Sequence, residues 1–576
     1  MLKTKYDIGE IPHSEYPRPQ MVRDSYICLN GKWELSVFSG GTSEDMGEIT
    51  VPFSPEALNS GIRRGFTLRE DQTLVYQRDF LLDEKEMKDR CLLHFGAVDS
   101  RCRVYINSKF VGAHVGGFTP FTLDITDAVN IGENIISVEC IDDAEARQGA
   151  RGKQSKNAGG IWYTSQSGIW QTVWLECVTK SYIGDMTVIT DAKSKSVSIS
   201  TDYDGEQHIK IFDGKEVIYE GDFVGETAVC CDFELWSPEN PKLYEFEITC
   251  YSGDQIRSYF GVRSFETGKD RNGKSRLLLN GEPYFFNGVL DQGYWSDGLL
   301  TYPSDQAAID ELTMLKDMGF NMVRKHIKLE PMRWYYHCDR LGLIVWQDFV
   351  NGGGEYSFLK MAALPFLGFK HDDSDYKYFS REAQEGREEY EYSVCETVGS
   401  LKNCVCIGAW VPFNEGWGQF DSVRITELVR ELDPTRIIDS TSGWYDQGVG
   451  KSELLSLHTY YTPLRVPNDP RPVVLSEFGG YSLKIDGHVF NEEKEFGYKK
   501  FKDREGYCRA VERLYLEKLM PLIEKGLCAC VYTQVSDVEE EINGLVTYDR
   551  SQVKIPVARM RAINEKIYDT AKKIKS

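Results

Sequence analysis

Eight short apolar runs constrain the fold of this chain more than any other feature of its sequence. Each run has the length of a buried strand, and they lie at Tyr284–Val289, Phe320–Arg324, Leu343–Trp346, Cys404–Val411, Arg436–Asp439, Leu454–Leu457, Pro472–Leu475 and Leu527–Thr533. Helical stretches separate most of them. After the first run, Ile309, Leu312, Leu315 and Met318 recur every three residues, as on one face of a helix. Eight such units predict a (β/α)8 TIM barrel, which we expect over residues 267–576.

The chain before residue 270 has a different character. Short polar–apolar alternations such as Arg103–Asn107 indicate half-buried strands, and long helical periodicity is scarce. We predict two β-sandwiches. The first occupies residues 1–180 and closes with the strand Gln171–Glu176. The second, over residues 181–266, has close to the length of an immunoglobulin-like β-sandwich.

Composition excludes several classes of function. Lys and Arg total 67 against 89 Asp and Glu, and the net charge of −22 argues against nucleic acid or an anionic membrane as a partner. No apolar stretch is long enough to span a bilayer, and the first residues lack the apolar core of a secretion signal. The 15 cysteines are scattered, so we expect reduced thiols and a cytoplasmic location.

Two glutamates follow two of the predicted strands at the end where barrel enzymes carry their reactive groups. Strand four leads into Asn414-Glu415-Gly416, and strand seven leads into Ser476-Glu477-Phe478-Gly479. A pair of carboxylates is what retaining glycoside hydrolysis requires: one attacks the anomeric carbon, and the other protonates the leaving oxygen and then deprotonates water. With 89 acidic residues, two glutamates at strand ends also arise by chance.

Motifs along nearly the whole chain resemble glycoside hydrolase family 2, the family of β-galactosidases, β-glucuronidases and β-mannosidases. They stand in the family's order and include Leu29–Trp33, Ser167–Glu176, Phe260–Arg263, Asn414-Glu415 and Ser476–Gly479. The resemblance implies that the first sandwich is a jelly-roll sugar-binding domain. It also implies a β-galactosidase-like enzyme with Glu415 as the general acid/base and Glu477 as the nucleophile.

The same resemblance supplies roles for residues around the two glutamates. Asn414 matches an asparagine that contacts the sugar 2-hydroxyl. Tyr460 matches a tyrosine that hydrogen-bonds the nucleophile, although the adjacent Tyr461 leaves the register open by one residue. His458 lies in the same segment and is a further substrate-binding candidate.

For four more candidate residues, a purely structural role is an alternative to a role in the site. Arg324 matches an arginine that holds a carboxylate by paired hydrogen bonds. His326 is placed one position away from where related β-galactosidases often carry a histidine. Asp291, after strand one, could contact the terminal sugar or cap a loop. Trp444, after strand five, could stack on a sugar or pack inside the protein.

The departures from the family bear on the substrate. β-Glucuronidases carry an Asn-x-Lys motif whose lysine pairs with the sugar carboxylate. Here Glu541 and Asn543 take those two positions within an acidic stretch, Asp537–Glu541. We therefore expect a retaining exo-β-glycosidase that favours β-galactosides. β-Mannosides and α-L-arabinopyranosides remain open as alternatives, with β-glucuronides the least favoured.

Two other classes of protein are considered. A non-catalytic carbohydrate-binding protein would have no need of paired carboxylates, and a metal-dependent hydrolase would need clustered ligands that the sequence does not offer. We expect no cofactor and no protein metal ligands, although some relatives bind Mg²⁺ or Na⁺. The expected partner is a small-molecule or oligosaccharide substrate, and a homo-oligomer is compatible with the sequence. The long loop 350–378 is expected to shape or cover the site.

Overall fold

The computed structural model describes residues 2–357 and 359–575. Within them the chain forms β-rich regions first and a parallel sheet with helices afterwards. The described part contains no helix that is long and apolar enough to cross a membrane. All fifteen cysteines are free thiols, as expected from their scattered positions.

The first region contains two antiparallel sheets. The six-stranded sheet has the spatial order Thr42–Val51, Gly31–Ser39, Thr73–Leu82, Gly132–Ile141, Arg101–Ile106 and Lys109–Val115. The four-stranded sheet has the order Tyr26–Cys28, Val173–Val178, Arg90–Phe95 and Phe121–Asp124. Alternate residues of these strands face inward, and a hydrophobic cluster drawn from residues 29–177 fills the space between them.

The second region is smaller and also antiparallel. One sheet contains Met186–Asp191, Ser196–Thr201 and Glu226–Cys230, and the other contains Glu216–Val224, Glu206–Asp213, Tyr244–Cys250 and Gln255–Phe260. Its hydrophobic cluster draws on residues 183–262 together with Met21. A three-stranded sheet of Phe265–Lys269, Ser275–Leu279 and Glu282–Pro283 leads into the rest of the chain. The two clusters draw on separate stretches of the chain, and the predicted domain division remains a prediction.

The parallel sheet has eight strands, and each coincides with one of the eight apolar runs. In chain order, strands one to eight are Phe286–Asp291, Met322–Lys325, Ile344–Asp348, Ile407–Val411, Ile437–Ile438, Leu455–Thr459, Val473–Gly479 and Leu527–Thr533. Their order across the sheet is five, four, three, two, one, eight, seven, six. This order curls the sheet and brings the carboxyl ends of strands four, six and seven to one mouth.

Helices connect the strands and cover the sheet. The longer ones are Asp305–Asp317, Met332–Leu341, Gln384–Leu401, Ser422–Leu432, Arg504–Arg513 and Val557–Lys575, and Arg504–Arg513 continues through the π-helical Leu514–Leu519 into Met520–Lys525. The first begins at Ser304, whose hydroxyl accepts a hydrogen bond from the Ala307 amide at 3.3 Å. Of its predicted apolar stripe, Leu312 and Leu315 are buried, as is Met318 at the helix end.

The first region reaches the mouth of the parallel sheet through several contacts, of which two backbone amides provide examples. The Arg151 amide donates to the carbonyl of Asn351, which follows strand three, at 3.1 Å. The Glu539 carboxylate, which follows strand eight, accepts from the Thr164 amide at 3.0 Å. Residues between 150 and 164 therefore border the mouth.

A buried ion network joins the first two regions. The Arg23 guanidinium donates to Glu176 at 3.0 Å and to both carboxylate oxygens of Asp254 at 3.0 and 2.9 Å. Glu176 and Asp254 are 0% and 1% exposed, so neither carboxylate could be solvated readily if the guanidinium were removed.

We expect Arg23→Ala to lower the free energy of unfolding by about 3–5 kcal/mol, because it leaves the buried Asp254 carboxylate without its ionic partner. Urea denaturation followed by tryptophan fluorescence measures the change. Arg257→Ala is the matched control: its partner Asp24 is exposed, and the expected loss is about 1 kcal/mol or less. Equal losses in the two variants would contradict the assignment of Arg23 as a structural centre.

Candidate active site

Glu415 and Glu477 meet at the mouth of the parallel sheet. Glu415 follows strand four, and Glu477 lies within strand seven. Three atoms come close together here: one carboxylate oxygen of each glutamate and a ring nitrogen of His458. All three lie within 4.8 Å of one another. Both glutamates are buried, at 7% and 5% exposure. The structure thus brings together the two carboxylates that the sequence predicted as a pair.

Arg324, at the end of strand two, connects the residues of this site. Its guanidinium holds Asp348 through two hydrogen bonds, from Nε at 2.9 Å and Nη2 at 3.0 Å. Nη2 also donates to Oδ1 of Asn414 at 2.8 Å, and Nη1 donates to Oε1 of Glu477 at 3.3 Å. The predicted paired hydrogen bonds to a carboxylate are therefore present, and the carboxylate is that of Asp348.

The Asn414 amide is oriented by this arginine. Because a guanidinium only donates, the oxygen of Asn414 must face it. The amide nitrogen of Asn414 is buried and has no hydrogen-bond partner among the described residues. A buried donor without a partner is costly, so this nitrogen is a candidate to bind a hydroxyl of a substrate.

The surroundings of Glu477 favour its charged form. Burial alone would raise the pKa of this carboxyl group. The facing His458 ring, the Arg324 guanidinium and the hydrogen bond from Tyr460 outweigh burial and hold the pKa of Glu477 below its usual value. An ionised carboxylate in a buried position is what a nucleophile requires.

Tyr460, and not Tyr461, is the tyrosine that contacts Glu477. Its hydroxyl donates to Oε2 of Glu477, and burial raises the pKa of Tyr460 well above its usual value, so the proton stays on the hydroxyl. The ring of Tyr460 stacks on Tyr498 with centroids 3.7 Å apart. Tyr461 is 68% exposed, which resolves the one-residue uncertainty in register.

A strained turn positions Glu415. Its φ angle of 51° lies in the left-handed region, where a non-glycine residue costs roughly 1–2 kcal/mol. The Glu415 amide donates to the Ser442 carbonyl at 3.0 Å, which fixes the turn against the segment after strand five. Gly416 is also left-handed, and a Cβ atom there would lie 2.6 Å from the Tyr445 ring. Glycine is therefore required directly after the glutamate.

The two predicted histidines hold carboxylates at the site. Nδ1 of His458 lies 2.7 Å from Oε1 of Glu415, and its Nε2 lies 3.5 Å from Oε1 of Glu477. Nδ1 of His326 lies 2.8 Å from Asp348. Burial lowers the pKa of His326 well below its usual value, so this ring is neutral at neutral pH.

The other two candidates, Asp291 and Trp444, have structural surroundings. The Asp291 carboxylate accepts from the Lys325 ammonium at 2.5 Å and from the Gly293 amide at 2.8 Å. This favours the loop-capping alternative over a sugar contact. Trp444 packs against a hydrophobic cluster that contains Trp417, and its ring centroid lies 6.2 Å from that of His458.

Sequence reasoning did not assign three groups that the structure places around the mouth. Asp348 ends strand three, and its position after an apolar run is the signal that could have identified it. Lys153 and Trp162 come from the first region, more than 250 residues before Glu415, and no local pattern connects them with the site. The ammonium of Lys153 lies 4.3 Å from the ring centroid of Trp417.

The positions of three side chains in the site would allow it to bind a metal ion. Within the described ranges, Glu415, His458 and Glu477 form the group whose ligand atoms are close enough to hold one ion. An ion there would occupy both carboxylates. Arg324 already places a fixed positive charge beside Glu477, so this carboxylate does not depend on a metal for compensation.

Comparison with known proteins gives a family match in the first region. Residues 58–175 match the model of the glycosyl hydrolases family 2 sugar-binding domain. A β-galactosidase of Thermoanaerobacter pseudethanolicus is 25% identical over 431 residues, which cover 68% of this chain and 52% of that protein. The chain thus spans about half the length of this curated relative.

Solved structures share the fold over almost the whole chain. The β-D-glucuronidase of Dictyoglomus thermophilum aligns with a TM-score of 0.74 at 19% identity and covers 96% of this chain and 98% of its own. The β-galacturonidase of Eisenbergiella tayi bound to galacturonate aligns with a TM-score of 0.70 at 17% identity, covering 96% and 99%.

The sugar-binding domain match, the related sequences and the shared fold agree with the motifs around Glu415 and Glu477 and support the similarity of this chain to glycoside hydrolase family 2.

Proposed function

We propose that this protein is a retaining exo-β-glycosidase that hydrolyses terminal β-linked sugars by double displacement. The observation that carries the proposal is the approach of Glu415 and Glu477, whose carboxylate oxygens come within 4.8 Å of each other. Retaining enzymes hold their carboxylates about 5–5.5 Å apart, whereas inverting enzymes need about 6.5–9.5 Å to admit a water molecule.

In the proposed first step, Glu477 attacks the anomeric carbon while Glu415 donates a proton to the glycosidic oxygen. The bond to the aglycone breaks and a covalent glycosyl–enzyme forms. In the second step, Glu415 removes a proton from water, which attacks the anomeric carbon and releases Glu477. The lowered pKa of Glu477 and its hydrogen bond from Tyr460 support its assignment as nucleophile.

Supporting residues act by orientation in this proposal. Arg324 positions Asn414 and Glu477 together, so that the free amide nitrogen of Asn414 can donate to the sugar 2-hydroxyl beside the attacking carboxylate. His458 orients Glu415 through its Nδ1. No cofactor takes part, since proton transfer and nucleophilic attack are both supplied by side chains.

We further propose that the finer architecture is a jelly-roll sandwich, an immunoglobulin-like sandwich and a closed (β/α)8 barrel. The cyclic order of the eight parallel strands supports the barrel. A hydrogen bond between the hydroxyls of Ser442 and Ser456, at 3.3 Å, joins the segment after strand five to strand six, where the sheet would close. A cytoplasmic location and a homo-oligomer remain predictions.

The proposed substrate is a neutral terminal sugar, with β-galactosides favoured. The reason differs from the one expected from the sequence, because most of the acidic stretch 537–541 is engaged in structural contacts. Asp537 pairs with the buried Lys554 at 2.6 Å, and Glu539 accepts from a backbone amide. Glu541 stays beside the pocket, and its negative charge disfavours a uronate there.

Initial rates on nitrophenyl β-galactoside, β-glucuronide, β-mannoside, β-glucoside and α-L-arabinopyranoside test the reaction and the sugar together. We expect one neutral glycoside to dominate. Glu477→Ala should reduce its turnover by at least about 10⁴-fold, and added azide should restore part of the rate by forming the α-glycosyl azide. A dominant glucuronide would overturn the proposed sugar, and a Glu477→Ala variant that stays active would overturn the mechanism.

Leaving-group dependence tests the role of Glu415. We expect Glu415→Ala to slow hydrolysis of alkyl glycosides by about 10²–10⁴-fold, because a poor leaving group needs the proton. Dinitrophenyl glycosides should lose far less in their first step, since they depart without protonation. Steady-state rates across a series of aglycones give the comparison, and an equal loss for every aglycone would show that Glu415 is not the acid.

The pH profile tests the hydrogen bond from Tyr460. Because this bond stabilises the ionised form of Glu477, Tyr460→Phe should raise the pKa of Glu477, and activity should be lost at a higher pH as the solution is acidified. We expect kcat/KM at its optimum to fall about tenfold. Tyr461→Phe is the matched control on the adjacent exposed ring, and an unchanged acid limb in Tyr460→Phe would refute the assignment.

A further inference from the structure

A lysine from the first region lies in the mouth of the parallel sheet. Lys153 is held there by its own backbone, whose carbonyl accepts from the Tyr163 amide at 3.0 Å. The preceding Gly152 amide donates to the carbonyl of Asn351, after strand three, at 2.8 Å. Lys153 is only 5% exposed, so most of this residue is buried within the site.

The ammonium of Lys153 rests on aromatic rings. It lies 4.3 Å from the ring centroid of Trp417, 5.2 Å from that of Trp162 and 5.8 Å from that of Tyr163. Among the residues that the structure describes, it makes neither a hydrogen bond nor an ion pair. Cation–π contacts stabilise the charge but leave its N–H donors unused.

Three carboxylates face this ammonium. Burial lowers the pKa of Lys153, and the charges of Glu541, Glu415 and Glu477 oppose that effect, in this order of strength. Glu415 and Glu477 are the proposed catalytic pair, so the cation lies beside the pocket in which the terminal sugar would react. Glu541 exerts the largest of the three effects.

Glu541 is a fixed acceptor, connected to Lys153 through the side chain of Tyr163. It is 3% exposed, and its carboxylate accepts from the Tyr163 hydroxyl and from the Asn543 amide at 2.9 Å. Tyr163 thus contacts Glu541 directly, and the ammonium of Lys153 lies over the Tyr163 ring. The two charged groups are locked in place without forming an ion pair with each other.

We propose that Lys153 is a specificity-determining residue that, together with Glu541, binds hydroxyl groups of the terminal sugar. The inference rests on the proposed glycosidase function. A sugar hydroxyl both accepts and donates, so one hydroxyl can accept from the ammonium and a neighbour can donate to the carboxylate. Because the charge of Glu541 offsets that of Lys153, the pair offers no net positive charge to a uronate and favours a neutral polyol.

Lys153→Met tests this assignment, because methionine fills a similar volume over the aromatic rings without the charge. We expect kcat/KM on the best neutral glycoside to fall about 10- to 100-fold, the range for a lost hydrogen bond to a charged group. The ranking of sugars in the nitrophenyl panel should also change. Lys156→Met is the matched control, since its ammonium pairs with Glu70 outside the site.

A double-mutant cycle with Glu541→Gln shows whether the two groups act on the same sugar. If they do, the combined loss differs from the sum of the single losses, whereas independent roles give additive losses. The thermal midpoint of Lys153→Met should equal or exceed that of the parent, because a buried unpaired cation is removed. A lower midpoint with unchanged sugar ranking would make Lys153 structural and overturn the proposal.

The outcomes separate this inference from the proposed function. A parent protein that cleaves neutral glycosides, with Lys153→Met equally active and unchanged in its sugar ranking, overturns the inference and leaves the function intact. A parent protein inactive on every glycoside overturns the function. If uronides are the best substrates and Lys153→Met abolishes their turnover selectively, Lys153 binds a carboxylate, and the proposed hydroxyl pairing is wrong.

Discussion

One buried guanidinium organises the site. Arg324 contacts Asp348, Asn414 and Glu477, which come from the ends of strands three, four and seven. Burial by itself would lower the pKa of Arg324, but Asp348 and Glu477 outweigh it and raise the pKa above its usual value, so the charge persists at every relevant pH. Because its planar donors are fixed in direction, the arginine sets the positions of these groups relative to one another.

The catalytic role proposed for Glu477 depends on this arrangement. A buried carboxylate would otherwise tend to take up a proton, and a protonated nucleophile does not attack. Arg324, His458 and Tyr460 together reverse that tendency. Glu415 is positioned differently, by a left-handed turn fixed to the segment after strand five and by His458. The two glutamates thus have chemically distinct surroundings although their oxygens lie close together.

The first region contributes to the mouth as well as to the fold. Its residues between 150 and 164 form hydrogen bonds both with the loop after strand three and with the segment after strand eight. These residues bring Lys153 and Trp162 to the mouth and donate hydrogen bonds to Glu539, Glu540 and Glu541. If the proposed function holds, selectivity among sugars depends on contacts between regions that are far apart in the chain.

The sequence by itself determined the eight strands, the pairing of Glu415 with Glu477 and the presence of Arg324 at a strand end. These are properties of local apolar periodicity and of which residue follows a strand, and parallel strands carry such residues to one edge. Only the tertiary structure decided that Tyr460 and not Tyr461 reaches Glu477, that Asp291 is engaged by Lys325, and that Lys153 enters the site. Those outcomes depend on the direction of a side chain or on contacts between distant segments, which no local pattern encodes.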